Sequence, residues 1–410
     1  MKYLAALILI IPALGLNCSG HQAWNAGEDS SLPASGKQDS PEEVKPALKW
    51  QGTADSCTFV LTENFLNKEE GFFWSTPGDI GKSSGDIYWQ QAHAMDVIIA
   101  AYGRVKDSDS ARAAEYRRYM EAWYSSYAHN YNTSHRKDGV HGGFFNQYTD
   151  DMCWICLTLC HISEAIGSRQ YIQTAKAVYD NYIIPRAVTD YKGTGLPWTD
   201  IQGKQGRNSC TNAPGCCLAA KLYVESGDQK YLDDALMLYR FMTDNNIKQD
   251  YRCEEPPLTY TQGTFGEACR QLYGITGEKK YLDMAFNVIR YAFTSSRCNT
   301  ADGILRSEGT SMDQSIFKAV LIPYAVNLIL DESLDRSSRT MLKNLLLKNG
   351  NALYRSLDRS TWPQMFAGYC WDKAWTATDS APHASMGAQT SGASLMEGLA
   401  KLERTEYETK

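Results

Sequence analysis

Apolar side chains recur at intervals of three and four residues along most of the chain, and sustained strand-like alternation is scarce. This period places apolar groups on one face of a helix, so the pattern predicts an all-α protein. Within it a short motif repeats, in which a glycine and three further residues precede a helix that opens with tyrosine and an aliphatic residue. The copies begin at Gly167, Gly227 and Gly277. A supersecondary unit that recurs in this way indicates packed helical hairpins.

Extending the register of the repeat predicts six hairpins. One helix of each pair is rich in small residues, as expected of helices packed on all sides; these inner helices are predicted at 89–103, 150–166, 209–226, 262–276, 313–330 and 385–402. The partner helices carry more charge, as expected of an outer ring that faces water; they are predicted at 54–69, 110–129, 170–183, 229–245, 279–294 and 334–356.

Six pairs of helices predict an (α/α)6 barrel. An open solenoid is the alternative, but the sequence lacks the polar capping repeats that a solenoid requires. In a barrel all inner helices begin at the same end, so the long loops before them share one face; they are 73–88, 138–149, 195–208, 252–261, 299–312 and 361–384. These loops are rich in aromatic residues, which predicts a ligand-binding cleft on that face.

The candidate chemistry lies where one of these loops ends. The Gly- and aromatic-rich segment 142–149 runs into two adjacent carboxylates, Asp150 and Asp151, at the start of a predicted inner helix. One aspartate at this position is explained by helix capping, because Asp is a preferred N-cap residue. A cap needs only one aspartate, however, and the predicted cleft gives the pair a second explanation. The same dipeptide at 233–234 follows a polar turn on an outer helix, where we expect it to be solvated.

Two carboxylates in an aromatic cleft are typical of glycoside hydrolysis. In the first turn of a helix we expect the two carboxyl groups roughly 5 Å apart, which matches retaining enzymes and leaves no room for the water that an inverting enzyme needs. The helix N-terminus lowers the pKa of both groups. Ionisation of one carboxyl and burial against aromatic rings raise the pKa of the other. The residues thus predict a nucleophile and a general acid/base without assigning the two roles.

Composition narrows the class of ligand. The chain has 410 residues, 43% of them hydrophobic and 11% aromatic, and a formal net charge of −6. It has no basic run that could neutralise phosphates, so we expect no nucleic-acid partner. The acidic balance also argues against an anionic membrane surface or a polyanionic substrate. A neutral polymer fits best, since Trp and Tyr side chains suit stacking against flat ligand faces.

The N-terminal segment resembles an export signal, because Lys2 is followed by the apolar run 4–16 and then by Cys18. Residues 1–18 are similar to a bacterial lipoprotein signal, in which the cysteine is lipidated. Residues 19–50 have the composition of a flexible tether, and 51–410 are predicted to form the catalytic domain. We therefore expect an exported monomer that contacts a membrane only through a lipid on Cys18. Its expected location is the outer membrane, at the cell surface or on the periplasmic face.

The twelve cysteines of the chain do not indicate a metal site. Cys153, Cys156 and Cys160 lie on one helical stripe, which is typical of buried thiols, whereas structural zinc needs four converging ligands. Cys210 and the pair 216–217 are interpreted as core residues or as a local disulfide. We expect neither a metal nor another cofactor.

Several further segments accompany the paired aspartates in a fixed order along the chain. They are 88–92 with Asp96, 211–213, 259–263, 303–306, 314–318 and 389–391. Together with Tyr148-Thr149-Asp150-Asp151 they resemble glycoside hydrolase family 76, the endo-α-1,6-mannanases, over about residues 55–403. The resemblance implies an (α/α)6 barrel and a retaining double displacement in which Asp150 is the nucleophile and Asp151 the general acid/base. It also implies that the substrate is the α-1,6-linked backbone of fungal-type α-mannan.

Candidates for substrate binding come from the cleft loops and the helix starts beside them; they are Asp86, Tyr148, Trp198, Asn212, Tyr260, Gln262 and Arg306. Trp198 follows Gly-Leu-Pro in a loop, where a stacking platform is expected. Asn212 either bonds a sugar hydroxyl or caps its helix. Gln262 is expected to contact ligand, because it follows a Pro-Pro turn and precedes a glycine. Arg306 either binds hydroxyls or pairs with Glu308.

Two other functions remain open from the residues. A polysaccharide lyase or unsaturated-uronyl hydrolase could share the fold, but such enzymes act on acidic sugars and need Arg or Lys to receive carboxylates. A lipid-anchored glycan-binding protein of a polysaccharide-uptake system would need the aromatic residues but not the paired aspartates. Both alternatives predict that linear α-1,6-mannan is left uncut.

Overall fold

The computed structural model describes residues 49–77, 87–129, 137, 141–254, 258–379 and 383–408. The predicted signal peptide with Cys18, most of the tether and the substrate-binding candidate Asp86 lie outside the described residues. Helix α1 begins at Lys49, so the last two residues assigned to the tether are helical, and Trp50 is buried.

Twelve α-helices make up most of the described chain and alternate between two sets. The inner set is α2 (Trp89–Val105), α4 (Thr149–Ile166), α6 (Ser209–Ser226), α8 (Thr259–Thr276), α10 (Met312–Leu330) and α12 (Met386–Glu408). The outer set is α1 (Lys49–Asn64), α3 (Ser110–His129), α5 (Arg169–Val178), α7 (Gln229–Phe241), α9 (Lys279–Thr294) and α11 (Arg336–Ser356). The predicted all-α class and the six hairpins are confirmed.

The inner helices form a closed ring. Each packs against the next in the order α2, α4, α6, α8, α10 and α12, and α12 returns to pack against α2. Closure of the ring explains why small side chains are frequent on these helices, since each has neighbours on several sides. It also accounts for α10, which is long and apolar enough to span a membrane by length and composition but is largely buried within the protein.

The repeated glycines end the inner helices. Gly167, Gly227 and Gly277 follow α4, α6 and α8 with φ of 70°, 68° and 71°. This left-handed conformation is the usual helix C-cap and is easiest for glycine. The chain then reverses within a few residues into an outer helix whose first turn buries Tyr171, Tyr231 or Tyr281. These tight reversals place the inner helices parallel to one another, with their N-termini at one end of the ring.

Two short hairpins interrupt the helices, both at the end of the ring where the inner helices begin. Strand β1 (Leu66–Asn67) pairs with β2 (Phe72–Phe73), and β3 (Val188–Asp190) pairs with β4 (Gly193–Gly195), each antiparallel. They are loop reinforcements and do not add a sheet layer to the fold.

The cysteines of the described chain are free thiols, and most are buried. Cys153, Cys156 and Cys160 lie in the core along α4, as their spacing predicts. The local disulfide considered for Cys210 and the pair 216–217 is not formed.

Candidate active site

Asp150 and Asp151 are the second and third residues of α4. The residue at the N-cap position is Tyr148, and its side chain makes no capping hydrogen bond. Neither aspartate is therefore the cap of this helix, which excludes the capping explanation of the pair. The backbone N–H of Asp151 donates instead to Oδ1 of Asp150 at 3.1 Å.

The segment before α4 is held by the neighbouring loop 195–208. The N–H of Thr149 donates to the carbonyl of Trp198 at 2.8 Å, and Tyr148 forms an antiparallel bridge with Thr199. Arg186 donates to the two carbonyl groups before Tyr148, at 2.9 and 3.0 Å, and to the hydroxyl of Thr149 at 3.1 Å. One guanidinium thus fixes the direction in which the helix, and the carboxyl groups on its first turn, point.

The carboxyl group of Asp150 is enclosed by donors. Its Oδ2 accepts from the indole Nε1 of Trp198 at 3.1 Å, and the thiol of Cys210 also donates to it. The side chain is only 8% exposed. Burial raises the pKa of Asp150 to about 7, and the hydrogen bonds from Cys210, from the backbone and from Trp198 reduce that rise. Asp150 therefore titrates near neutral pH.

Asp151 is half-buried and lies near a third carboxylate. Burial, followed by the charges of Asp150 and Asp313, holds the pKa of Asp151 well above its usual range. Asp313 is fixed by donors of its own, because Oδ1 accepts from Nε1 of Trp89 at 3.0 Å and from the amide of Gln90. Within this trio the charges of the two neighbouring carboxylates favour the protonated form of Asp151.

Two of the three carboxylates, those of Asp150 and Asp313, belong to a ring of equivalent helix positions. The second residues of the six inner helices are Gln90, Asp150, Cys210, Tyr260, Asp313 and Gly387. Members of this ring contact one another, since Cys210 bonds both Asp150 and Tyr260 while Gln90 bonds Asp313. Parallel helices in a closed ring direct this position toward the common axis. The carboxylates and their partners thus converge at one mouth of the barrel.

Aromatic rings form the floor beneath this mouth. Tyr260 and Phe317 stack with centroids 4.3 Å apart, and Trp89 lies 5.9 Å from Phe317 and 6.3 Å from Tyr260. Trp154 packs beside them at 6.3 Å from Trp89. Trp89 is half-buried, so one part of this aromatic floor is open to the cleft. Such rings offer an apolar surface to the C–H face of a sugar.

The structure corrects the prediction that Asn212 and Gln262 bind substrate, because both side chains are fully buried. The amide of Asn212 accepts from the N–H of Leu196 at 2.8 Å and donates to the carbonyl of the same residue at 3.0 Å. Gln262 accepts from the N–H of Cys253 and donates to the carbonyls of Tyr251 and Val288 at 3.1 and 2.8 Å.

These amides act as clamps that hold a cleft loop to the start of an inner helix. The same arrangement occurs on α2, where Gln91 bonds both the N–H and the carbonyl of Phe73 at 2.8 and 2.7 Å. On α12, Gln389 accepts from Ala367 at 2.8 Å. We call these four side chains the amide clamps. Each satisfies backbone groups that would otherwise be buried without partners.

The remaining predicted residues are divided between the mouth of the barrel and its surroundings. Tyr148 lies 5.0 Å from the ring of Trp198 and close enough to both aspartates for their charges, after burial, to raise its pKa. With Tyr260 in the floor, three predicted aromatic residues surround the carboxylates. Arg306 is exposed and donates to the carbonyls of Ser296 and Asn299 at 2.9 and 3.1 Å, so part of its guanidinium serves the loop.

The family model of Glycosyl hydrolase family 76 matches residues 50–409. The chain belongs to this family. The resemblance inferred from the sequence motifs is confirmed, and the protein is a glycoside hydrolase. Family 76 membership and the paired carboxylates of the site agree on the class of reaction, since hydrolysis of a glycosidic bond requires two such groups.

Solved family 76 structures share this fold. The α-1,6-mannanase of Salegentibacter sp. HEL1_6 is 22% identical with a TM-score of 0.72, and the match covers 86% of this chain and 99% of that one. A family 76 mannosidase of Bacteroides thetaiotaomicron is 18% identical with a TM-score of 0.68, over 88% of this chain and 100% of that one. An inactive variant of the Salegentibacter enzyme, in which two consecutive aspartates are replaced by alanine, has been solved with alpha-1,6-mannotetrose. Comparison with curated protein sequences finds no match.

Sequence reasoning missed three residues at the site of this family 76 enzyme. Asp313 and Cys210 stand at the same helix position as Asp150, so aligning the six inner helix starts by the repeat would have found them. Arg186 lies in a short helical turn after α5. Its role depends on contacts between separate loops, so no local sequence pattern predicts it.

Proposed function

We propose that the protein hydrolyses α-1,6-mannosidic bonds within the backbone of fungal-type α-mannan, with retention of configuration at the anomeric carbon. The observation that carries the proposal is the adjacent pair Asp150 and Asp151, one enclosed by hydrogen-bond donors and the other surrounded by negative charge. Retaining enzymes need such an inequality, because one carboxyl must be ionised while the other holds a proton.

The first step of the proposed reaction forms a covalent intermediate. The carboxylate of Asp150 attacks the anomeric carbon while Asp151 gives its proton to the departing glycosidic oxygen, so that the C–O bond breaks as an ester bond forms. The donors on Asp150, from Trp198 and Cys210, favour its ionised form and orient it. The charges of Asp150 and Asp313 keep Asp151 protonated for this step.

The second step releases the sugar. Asp151, now ionised, takes a proton from water as the water oxygen attacks the anomeric carbon, and the ester bond to Asp150 breaks. When Asp150 regains its negative charge, the pKa of Asp151 rises again, so Asp151 keeps the proton taken from water for the next cycle. The pair therefore needs no group other than water to return to its starting state.

The structurally similar family 76 enzymes support mannan as the substrate. The Salegentibacter enzyme is an α-1,6-mannanase, and its inactive variants bind α-1,6-linked mannose oligosaccharides. The aromatic floor suits a neutral sugar, whereas three carboxylates at the mouth would repel a uronate. The lyase and uronyl-hydrolase alternative is therefore disfavoured. Membership in a glycosyl hydrolase family argues likewise against a purely glycan-binding role.

Digestion of defined polysaccharides tests the proposal. Linear α-1,6-mannan should yield a ladder of oligosaccharides early in the reaction, as endo-cleavage requires, while polygalacturonate should stay intact. The Asp150→Asn variant serves as the inactive control. Release of mannose alone from the start would contradict endo-action, and an uncut α-1,6-mannan would overturn the substrate assignment.

We also propose that the enzyme is exported and anchored through a lipid on Cys18. The support is the sequence of residues 1–18. Fractionation of cells that express the Cys18→Ala variant tests this proposal. The enzyme should move from the membrane fraction to the soluble fraction, and an unchanged distribution would contradict the anchor.

A further inference from the structure

Two tryptophans stand out from the rest of the described chain by their exposure. Trp362 is 66% exposed and Trp375 is 37% exposed, whereas the other described tryptophans are buried or half-buried. Both belong to loop 357–379, which leads from the end of α11 toward the start of α12. Leaving a large apolar ring in water is unfavourable, so two such rings in one loop indicate a surface that is covered by a ligand.

The base of this loop is anchored in the core. Trp371 is fully buried, its carbonyl accepts from the hydroxyl of Ser356 at 3.0 Å, and the ammonium of Lys318 lies 4.0 Å from its ring centre. Lys318 also donates to the carbonyl of Tyr369 at 2.9 Å. The clamp residue Gln389 holds the backbone nearby. The exposed rings are thus carried by a segment with fixed contacts.

The backbone that carries Trp362 and the ring of Trp375 are both held in place. Trp362 lies at the tip of a short hairpin that is closed by paired backbone hydrogen bonds between Asp358 and Phe366, at 3.0 and 2.9 Å. Trp375 packs edge-on against His383 with centroids 4.7 Å apart, and Nε2 of His383 bonds Asp358 at 2.7 Å. A ring that is already ordered loses little conformational freedom when a ligand stacks on it.

The geometry points to loop 357–379 as an aromatic platform that binds neutral hexose units of the polysaccharide beyond the catalytic pair. This inference rests on the proposed function, because it places the continuing α-1,6-mannan chain on Trp362 and Trp375. Indole rings suit the apolar C–H faces of such sugars. The platform lies at the same end of the ring as the catalytic pair, since its loop leads toward the start of inner helix α12.

Two cations of loop 357–379 already have hydrogen-bond partners within the protein. Lys373 bonds Asp379 at 2.8 Å, and Arg359 donates to the carbonyl groups of Tyr354 and Leu357. A surface that receives phosphate headgroups or uronates would instead present available cations. The pairing therefore favours a neutral polymer over a lipid surface or an anionic glycan.

Comparison of a long and a short substrate tests the platform. We expect Trp362→Ala to lower kcat/KM on linear α-1,6-mannan about fivefold, the loss from one aromatic contact, and to change kcat/KM on α-1,6-mannotetraose by less than about twofold. Trp362→Phe should recover part of the loss, because it keeps a stacking ring. Thermal unfolding should be unchanged, since the side chain is mostly exposed.

Val224→Ala is the matched control. Val224 is 62% exposed near the end of α6, at the opposite end of the barrel, and its loss should leave both substrates unaffected. Equal losses on polymer and tetrasaccharide, or no loss on the polymer, would overturn the platform while leaving the proposed function intact. A wild-type enzyme that cuts neither substrate would overturn the proposed function and the platform together. Co-sedimentation with phosphatidylcholine vesicles that Trp362→Ala abolishes would assign the ring to a lipid surface and also overturn the inference.

Discussion

Asp150 and Asp151 lie in the first turn of a helix, where unpaired backbone N–H groups favour negative charge. Burial acts in the opposite direction and outweighs this effect, because the pKa of Asp150 is raised to about 7 and that of Asp151 well above its usual range. The two aspartates differ in the neighbours that act on the pKa besides burial: those of Asp150 lower it, and those of Asp151 raise it further. Donors from Trp198 and Cys210 surround Asp150, while Asp151 meets the charges of Asp150 and Asp313. The order of protonation follows from these neighbours.

The pH dependence of catalysis should report this order. As pH rises through about 7, Asp150 ionises and kcat/KM should increase; at higher pH it should fall as Asp151 loses its proton. Trp198→Phe removes an N–H donor that stabilises the ionised carboxyl, so the acidic limb should move up by about one pH unit. Measurement of kcat/KM from pH 4 to 10 checks both statements. An acidic limb that moves down, or stays in place, would contradict the role of Trp198.

Replacing Asp150 should separate chemistry from folding. Asp150→Asn is expected to lower kcat by roughly a thousandfold or more, since the proposed nucleophile is lost. The unfolded-state pKa of an aspartate is about 4, so ionising the wild-type group costs folding free energy as pH rises from about 4 through 7. The variant should therefore be at least as stable as wild type in thermal unfolding at pH 8.

Asp233→Asn is the control for this substitution, because Asp233 is exposed on α7 and accepts a hydrogen bond from the nearby Gln229 on the same helix. Its activity should stay near that of wild type. Equal losses from the two variants would show that the fold, rather than the chemistry, is being measured.

Cys210 offers an independent probe of the carboxyl pair. Burial, followed by the charge of Asp150, raises the pKa of its thiol well above the ordinary value, so alkylation by iodoacetamide at neutral pH should be slow. In Asp150→Asn that charge is gone, and the labelling rate, followed by peptide mass spectrometry, should rise several-fold. Cys370 is also half-buried, but Asp150 is not among the charges that act on its thiol, so its labelling rate should not change. An unchanged rate at Cys210 would contradict the contact.

At the scale of elements, the amide clamps hold the cleft loops to the inner helices. Replacing Gln262 by Leu removes the acceptor of the buried N–H of Cys253 and a donor to the carbonyls of Tyr251 and Val288, and each buried group left unpaired costs about 1–3 kcal/mol. We expect urea unfolding to show a loss of at least about 2 kcal/mol. Gln229→Leu on the exposed side of α7 should cost little. If a Gln262 variant raised KM without a loss of stability, that result would contradict the clamp role and support substrate binding by Gln262.

The hairpins could be predicted from the sequence because periodicity and glycine caps are local signals. The predicted spans 209–226, 110–129 and 279–294 coincide with α6, α3 and α9. The span predicted for α1, 54–69, begins later than the observed helix, which begins at Lys49. The reason is that buried polar residues such as Thr53, Ser56 and Thr58 interrupt the apolar pattern of its buried face. Of the four clamps, the sequence predicts ligand contact for Gln262 and leaves Asn212 open between ligand and cap, because a polar amide at a helix start has the same appearance in both roles. Only the distances to loop backbone separate the two.

At the scale of the whole molecule, the closed ring of inner helices brings residues from distant parts of the chain to one mouth. Asp150, Cys210, Tyr260 and Asp313 are far apart in sequence but occupy equivalent helix positions. The loop that carries Trp362 leads toward the start of inner helix α12, so it lies at the same end of the ring. A neutral polymer fits this combination of carboxylates, aromatic rings and a net charge of −6.

The most direct test of the account is the configuration of the first product. Hydrolysis of α-1,6-mannooligosaccharides can be followed by proton NMR before mutarotation equalises the anomers. Retention through an ester on Asp150 predicts that the α-anomer of the new reducing end appears first. Early appearance of the β-anomer would show single displacement by water and would contradict the assignment of Asp150 as nucleophile.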